Sequence, residues 1–179
     1  MQIKDLSGIE KLHHLIVLTL NDNDIEEIDL SSFPELRFVG AARNRLEGLD
    51  VSDNKKLGSF DVSENQITEI NIGENTMLKA IMSSDNKLKY IDISGASSVE
   101  TVLLNNNSLN QIDVSNLEIL KNLQVSNNEI SDIYLGNNRY LEYLDLANNR
   151  LTKVRLSKGA KLNGIRLKGN ALDQETCLY

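Results

Sequence analysis

The sequence is poor in the residues that usually fill or crosslink a small globular core. Only 4% of its 179 residues are aromatic, it has no Trp, and its one proline is Pro34. A core without large rings has to be built from repeated small layers of Leu, Ile and Val. The single cysteine, Cys177, excludes an internal disulfide and a cysteine-based zinc site. We expect Cys177 to occupy a core position in a last, partial repeat; a reactive thiol is the alternative.

Charge and hydropathy exclude two further classes of partner. The net charge of −7 disfavours nucleic acids and anionic membranes, and the charged residues are dispersed along the sequence as on a solvated surface. No apolar run approaches the roughly 20 residues of a membrane span, so we expect no membrane insertion. The segment Met1 to Leu6 lacks the apolar stretch of a signal peptide.

An asparagine recurs every 21 residues without insertion or deletion. The column consists of Asn23, Asn44, Asn65, Asn86, Asn107, Asn128, Asn149 and Asn170. Aliphatic columns that begin at Leu15, Leu18 and Ile25 keep the same step. Self-similarity at such a period is the sequence signature of a solenoid, in which each turn packs only against its neighbours.

The spacing within one repeat predicts its local structure. Alternation in Leu18-x-Leu20 and its copies indicates a short strand with one buried face, so stacked copies should form a parallel sheet of about eight strands. Alternation in Ile28-x-Leu30 predicts a second short extended segment on the opposite side. The stretch from Ser31 to Glu35 is too short and polar for a helix of several turns, which favours turns there.

We interpret the asparagines as structural. Each lies where the chain leaves the strand, and its amide can donate to and accept from backbone groups that have no partner in the sheet. Leaving such groups unpaired would cost about 1–3 kcal/mol each. We therefore predict a ladder of asparagine side chains along the solenoid.

The pattern Leu-x-x-Leu-x-Leu-x-x-Asn-x-Ile/Leu resembles that of the leucine-rich-repeat family over nearly the whole chain. The second half of the repeat, as in Ile112-Asp113-Val114-Ser115, resembles the 21-residue repeats of bacterial surface proteins, including the internalins. Apolar residues at every third position from Ile3 to Leu15 also resemble the internalin type, in a 22-residue register.

The resemblance implies a curved, right-handed coil, α/β by convention but mostly strands and turns here, with the sheet on its concave face. It also implies a secreted or cell-surface protein, although a cytoplasmic location stays open. We expect one domain over residues 1–179. Residues 1–14 would form a cap or first partial repeat, residues 15–170 the 21-residue repeats, and residues 171–179, where Glu175 breaks the pattern, a partial repeat or cap.

The motifs of catalysis and metal binding are absent from the sequence. It has no phosphate-binding Gly-x-x-x-x-Gly-Lys loop, no Gly-x-Ser-x-Gly elbow and no His-Glu-x-x-His. The adjacent His13 and His14 have no third ligand nearby, so we interpret them as surface residues. We expect no enzyme activity, no cofactor and no metal.

The exposed strand positions vary from repeat to repeat, as a tailored surface would. We expect Met82 and Leu103 to touch, and a charged end to follow an apolar centre, which resembles the anatomy of a protein interface. The predicted partner-binding residues on the concave face are Phe38, Asp61, Ala80, Met82, Leu103, Gln124, Tyr143, Asp145 and Arg166. Scattered exposed apolar residues are the alternative interpretation. The convex columns around Asn54 and Asn138 look like solvated loops.

The sequence thus predicts a protein-binding module that presents its concave sheet to a protein or other macromolecule. The alternative is a structural spacer within a larger bacterial surface or secreted protein, with no ligand of its own. We expect a monomer, and a solenoid would also allow end-to-end association.

Overall fold

The computed structural model describes residues 2–173, which coil into a solenoid. After a short 3-10 helix at Ile9–Lys11, successive turns contribute one strand each to an eight-stranded parallel sheet. Its strands are β1 (Val17–Thr19), β2 (Phe38–Gly40), β4 (Ser59–Asp61), β6 (Ala80–Met82), β7 (Thr101–Leu103), β8 (Asn122–Gln124), β10 (Tyr143–Asp145) and β12 (Gly164–Arg166). The predicted fold class is confirmed.

The register of the sheet follows the 21-residue period. Leu18 lies opposite Val39, Ile81 opposite Val102, and Leu144 opposite Ile165, so equivalent positions of neighbouring turns are paired. In β2, β4, β6, β7, β8 and β10 the middle residue is completely buried, because alternate side chains of a strand point to opposite faces. The two outer residues of each strand therefore face away from the core.

The convex side carries a second, discontinuous set of strands. β3 (Gly48–Asp50) pairs with β5 (Glu69–Asn71), and β9 (Tyr134–Leu135) pairs with β11 (Arg155–Leu156). Between the two pairs, the equivalent segments 91–93 and 112–114 are not joined by any backbone hydrogen bond. Their aliphatic side chains are nevertheless buried, since Ile91 and Ile112 are only 3% and 6% exposed. The expectation of short extended segments or turns on this side is confirmed.

The asparagine side chains connect adjacent turns through the backbone. In the central repeat, Asn107 Nδ2 donates to the carbonyl of Ser83 at 2.9 Å, and its Oδ1 accepts from the Leu88 backbone N–H at 3.0 Å. The same amide also donates to the carbonyls of Leu104 and Asn105 in its own turn. Each side chain thus serves backbone groups of two turns at once.

The residue before each of these asparagines has a left-handed backbone. The seven non-glycine residues with positive φ, at 54–62°, are Asp22, Arg43, Glu64, Asp85, Asn106, Asn127 and Asn148. Asp and Asn tolerate this conformation better than most residues. At Arg43 and Glu64 it is less favourable, because the Cβ atom comes close to the backbone carbonyl oxygen. In the last described turn Gly169 takes the position, with φ of 75°.

The interpretation of Asn54 and Asn138 as parts of solvated loops is wrong. Both side chains are buried, at 1% and 0% exposure, in a column that Phe33 and Leu117 also occupy. Asn54 Nδ2 donates to the carbonyls of Leu30 and Phe33 in the preceding turn, at 2.9 and 3.0 Å. An asparagine can replace an apolar residue in this column because its amide pairs with backbone carbonyls.

The remaining sequence-based expectations concern residues near the two ends of the chain. His13 and His14 are exposed, as expected, and His13 Nδ1 lies 3.3 Å from the carbonyl oxygen of Ser32. Cys177 and Glu175 lie outside the described residues, so the expectations for the cysteine and for the break in the last repeat stay predictions.

The ladder geometry predicts that position along the solenoid controls the cost of losing an asparagine. Asn107→Ala should lower the free energy of unfolding by about 3 kcal/mol, because it leaves several buried backbone groups without partners. Asn170→Ala should cost less, because Asn170 lies in the last described turn, which has a described neighbour on one side only and can open by itself. Urea denaturation followed by circular dichroism measures both losses, and equal losses would contradict the ladder account.

Candidate functional site: the concave sheet surface

The outward-facing residues of the eight-stranded sheet form two rows across the strands. We call these two rows the concave face. One row runs Val17, Phe38, Ser59, Ala80, Thr101, Asn122, Tyr143, Gly164, and the other runs Thr19, Gly40, Asp61, Met82, Leu103, Gln124, Asp145, Arg166. Neighbours in a row are paired across adjacent strands, about 4.8 Å apart. The nine residues predicted from the sequence all lie in these rows.

The centre of the concave face is apolar. Met82 of β6 lies directly opposite Leu103 of β7, and Ala80 lies beside Met82 at the other end of its strand. All three side chains are partly exposed. Phe38 does not join this centre directly, because Ser59 stands between Phe38 and Ala80 in the row. The apolar surface is therefore a small central patch with one separate aromatic ring.

On the N-terminal side of the centre, Phe38 lies over a glycine of its own strand. A Cβ placed on Gly40 would come within 3.1 Å of Phe38 Cε1, which is tighter than an ordinary contact. The absence of a side chain at Gly40 thus lets the ring lie along the sheet. Between Phe38 and the centre, the Asp61 carboxylate accepts the backbone N–H of Ser63 at 3.0 Å.

On the C-terminal side, an aromatic ring, an arginine and a carboxylate form one unit. Tyr143 lies over Gly164 of the neighbouring strand, where a Cβ would come within 2.7 Å of the ring. The Arg166 guanidinium carbon lies 5.8 Å from the centre of that ring, within the range of a cation–π contact. Arg166 Nη1 also lies 3.4 Å from Asp145 Oδ2.

Asp145 and Arg166 differ sharply in exposure. Only 7% of the Asp145 side chain is exposed against 66% for Arg166. Asp145 Oδ1 also accepts the backbone N–H of Ala147 at 3.1 Å. The carboxylate is therefore placed to hold the arginine, while the arginine presents the charge to solvent.

A polar network between the apolar centre and this charged end includes residues that the sequence analysis did not single out. Asn105 Oδ1 accepts the backbone N–H and the hydroxyl of Ser126 at 2.9 and 2.8 Å. Gln124 Nε2 donates to Asn122 Oδ1 at 3.2 Å. Gln124 was predicted, whereas Asn105 and Ser126 follow their strands, in columns that the strand pattern alone does not separate from turn residues.

The edge of the sheet carries an ion pair between neighbouring turns. Lys121 Nζ lies 2.7 Å from Glu100 Oε2, just before strands β8 and β7. This hydrogen bond lowers the pKa of Glu100 and raises the pKa of Lys121. Both groups are therefore fully charged at neutral pH, and they largely neutralise each other beside the apolar centre.

Residues 2–173 contain neither a candidate metal site nor a membrane-spanning helix. In that part of the chain, His, Cys, Asp and Glu side chains nowhere gather in groups of three or more that could hold a metal ion. Among the same residues, no helix has the length and apolarity needed to cross a membrane.

Comparison with known proteins agrees with this architecture. A sequence profile of the family described as Leucine Rich Repeat matches residues 140–159. The structure of an internalin (inlF) from Listeria monocytogenes aligns over 97% of this chain with a TM-score of 0.83 and 26% identity. Residues 140–159 thus match a leucine-rich repeat, and the chain has the same fold as this internalin. A search of curated proteins gave no match.

Two further solved structures share the fold. The functional domain of InlJ from Listeria monocytogenes aligns over 94% of this chain, with a TM-score of 0.75 and 23% identity. The LRIM1/APL1C complex contains a chain that aligns over 88% of this one, with a TM-score of 0.74 and 24% identity, and this chain covers 31% of its length. The present chain spans 42% of the InlJ chain and 54% of the inlF internalin chain.

The packing of Tyr143 on Gly164 predicts an energetic coupling between the two positions. Gly164→Ala should destabilise the protein by about 1 kcal/mol, because the new methyl group displaces the ring. In a Tyr143→Ala background the same change should be neutral or stabilising. Urea melts of the four proteins give the coupling.

Gly48→Ala is the matched control, since a Cβ there would meet only Glu69 atoms at 3.8 Å. It should not respond to Tyr143→Ala. An identical effect of Gly164→Ala in both backgrounds would show that the ring does not depend on the glycine.

Proposed function

We propose that this leucine-rich-repeat domain binds a protein partner on its concave face, without catalysis. The observation that carries the proposal is the half-buried apolar centre that Ala80, Met82 and Leu103 form on the concave face. These side chains are not needed to fill the core, because the alternate residues Ile81 and Val102 fill it completely. Removing exposed apolar surface from water lowers the free energy, so a partner that covers these side chains is bound more tightly.

The residues around the apolar centre favour specific binding of one partner over non-specific hydrophobic association. Phe38 and Asp61 lie on one side, and Tyr143 and Arg166 lie on the other, so polar and aromatic groups frame the apolar residues. Tyrosine and arginine are enriched at protein interfaces. Both rings lie over glycines, and Arg166 already pairs with Asp145, so less side-chain freedom would be lost on binding.

The exposure and contacts of these residues suggest a different contribution to binding for each. Met82 and Leu103 would supply the buried contact area, and Arg166 would pair with an acidic group of the partner. Asp145 would act by positioning Arg166, because its own carboxylate is almost completely covered. Gln124 and Asp61 would form polar contacts at the rim.

The second candidate is a spacer within a larger surface protein. It is favoured by the fact that the chain spans only about half of the inlF internalin, so its turns are equivalent to part of a longer solenoid. A spacer needs a regular core but no tailored concave residues. We propose a secreted or cell-surface bacterial location from the same resemblance to internalins.

The test compares partner capture by the wild-type domain and by a Met82→Lys/Leu103→Glu variant. Both substitutions place charges on the apolar centre and leave the core residues untouched. We expect proteins captured from the source organism by the wild type to bind the variant at least tenfold more weakly. Calorimetry or surface plasmon resonance with the purified partner measures the ratio.

The control variant is Met77→Lys/Ile119→Glu. These two residues are 56% and 39% exposed at the edge of the solenoid, and they lie outside the concave face. The control should bind as the wild type does, and circular dichroism melts of both variants should match the wild type. Equal binding by all three proteins would reject the concave site and leave the spacer as the better account.

A further inference from the structure

The last described turn differs from the rest of the solenoid in charge. The 21 residues from Arg150 to Asn170 contain seven Lys and Arg and no Asp or Glu. Residues 1–138 contain 11 Lys and Arg against 22 Asp and Glu. No long run of like charge marks this difference, which is why the charges look dispersed along the sequence. It emerges when the residues are grouped by turn.

Within residues 2–173, most of the cations of this turn have no anionic partner. Arg150 pairs with Glu129 at 3.0 Å and Arg166 with Asp145 at 3.4 Å. Among the described residues, no ion pair involves the remaining five, which are Lys153, Arg155, Lys158, Lys161 and Lys168. All five side chains are exposed, so their charge is available to a partner.

The change of sign occurs within the same convex columns. Two exposed columns run along this side, one on each side of a buried aliphatic column. The first contains Glu27, Gly48, Glu69, Tyr90, Gln111 and Asp132 and ends at Lys153; the second contains Asp29, Asp50, Asn71, Asp92, Asp113 and Tyr134 and ends at Arg155. The two columns carry seven acids and no cation before the last turn.

Packing does not require this reversal. Arg155 lies opposite Tyr134 and Gly48 opposite Glu69 in the same kind of two-stranded ladder, so the ladder accepts either charge or none. The acids of the second column hold local turns; for example, Asp92 Oδ1 accepts the Ser94 backbone N–H at 2.9 Å. In the described part of the chain, Glu27, Glu69 and Asp132 make no such hydrogen bond, and neither do the side chains of Lys153 and Arg155.

We propose that the basic last turn binds the acidic convex columns of a second copy of this chain. The second copy is the partner whose complementary charge is already present, because it carries the seven acids of the two columns. In an antiparallel pair, each copy would present Lys153 and Arg155 to the acids of the other, so both contacts form at once. Such a two-fold contact closes on itself and gives a dimer. It leaves the concave face free.

The contact is mainly electrostatic, which gives it a recognisable salt dependence. At 0.15 M salt, exposed charges are screened over about 8 Å, and at 1 M over about 3 Å. Analytical ultracentrifugation of the full chain at about 100 µM should therefore show dimers in 20 mM NaCl and monomers in 1 M NaCl. A single monomeric species in 20 mM NaCl would overturn the proposal.

Charge reversal identifies the surfaces involved. Lys153→Glu/Arg155→Glu should weaken dimerisation at least tenfold in 20 mM NaCl, and so should Glu27→Lys/Glu69→Lys. In a pair of one variant with the other, one contact forms with reversed signs and the second forms with the original signs, so a mixture of the two variants should associate more strongly than either variant alone. Failure of the mixture to associate more strongly would contradict pairing between these surfaces.

The matched control is Arg37→Glu/Lys79→Glu. It changes the net charge by the same amount as Lys153→Glu/Arg155→Glu, but both residues lie beside the concave sheet. It should dimerise as the wild type does. An equal loss in this control would show that only the net charge matters and would reject a defined surface.

Discussion

The structure depends on hydrogen bonds that run between turns through the side-chain amides of a single residue column. A solenoid turn has strands on two sides, but the bends between them leave backbone groups with no strand partner. Asn107 satisfies such groups in its own turn and in the one before it. Because an inserted or deleted residue would break this match, the period of 21 residues holds through all eight asparagines. The flat rows of the concave face are a direct result of that constant period.

The division between frame and surface follows from the same constraint. Middle residues of the sheet strands pack in layers, so each is aliphatic or, at Phe60, aromatic, and those from Val39 to Leu144 are fully buried. The outer residues have no such restriction, and they are the ones that differ in character from turn to turn. Function on this fold is therefore a matter of which side chains occupy positions that the core leaves open. The same reasoning applies to the convex columns, where the charge reverses although the backbone does not change.

Much of the fold could be predicted from the sequence, because periodicity reports directly on burial. The positions of the eight strands and the alternate burial of their residues follow from the aliphatic columns. The buried Asn54 and Asn138 could not be predicted in this way, because a polar residue in a core column gives the same signal as one in a loop. Only the carbonyls of the preceding turn, which lie 24 and 21 residues away in sequence, explain their burial.

The sequence positions that form the concave rows could also be predicted, but the contacts between side chains within the rows could not. Asp145 is covered while Arg166 is exposed. This difference depends on the side-chain contacts between one strand and the next. The roles of Gly40 and Gly164 could be seen only once Phe38 and Tyr143 had been placed, since a glycine in a variable column carries no signal of its own. The charge reversal could have been found in the sequence by comparing columns turn by turn.

The gap in the convex ladder has a mechanical consequence. Segments 91–93 and 112–114 are not tied to each other by backbone bonds, whereas β6 and β7, in the same turns, are paired in the sheet. Backbone hydrogen bonds therefore resist a change in spacing less between these two convex segments than between β3 and β5 or between β9 and β11. Met82 and Leu103 lie on the paired strands of the same two turns. The two turns can thus change their spacing on the convex side while the strands that carry the apolar centre stay paired.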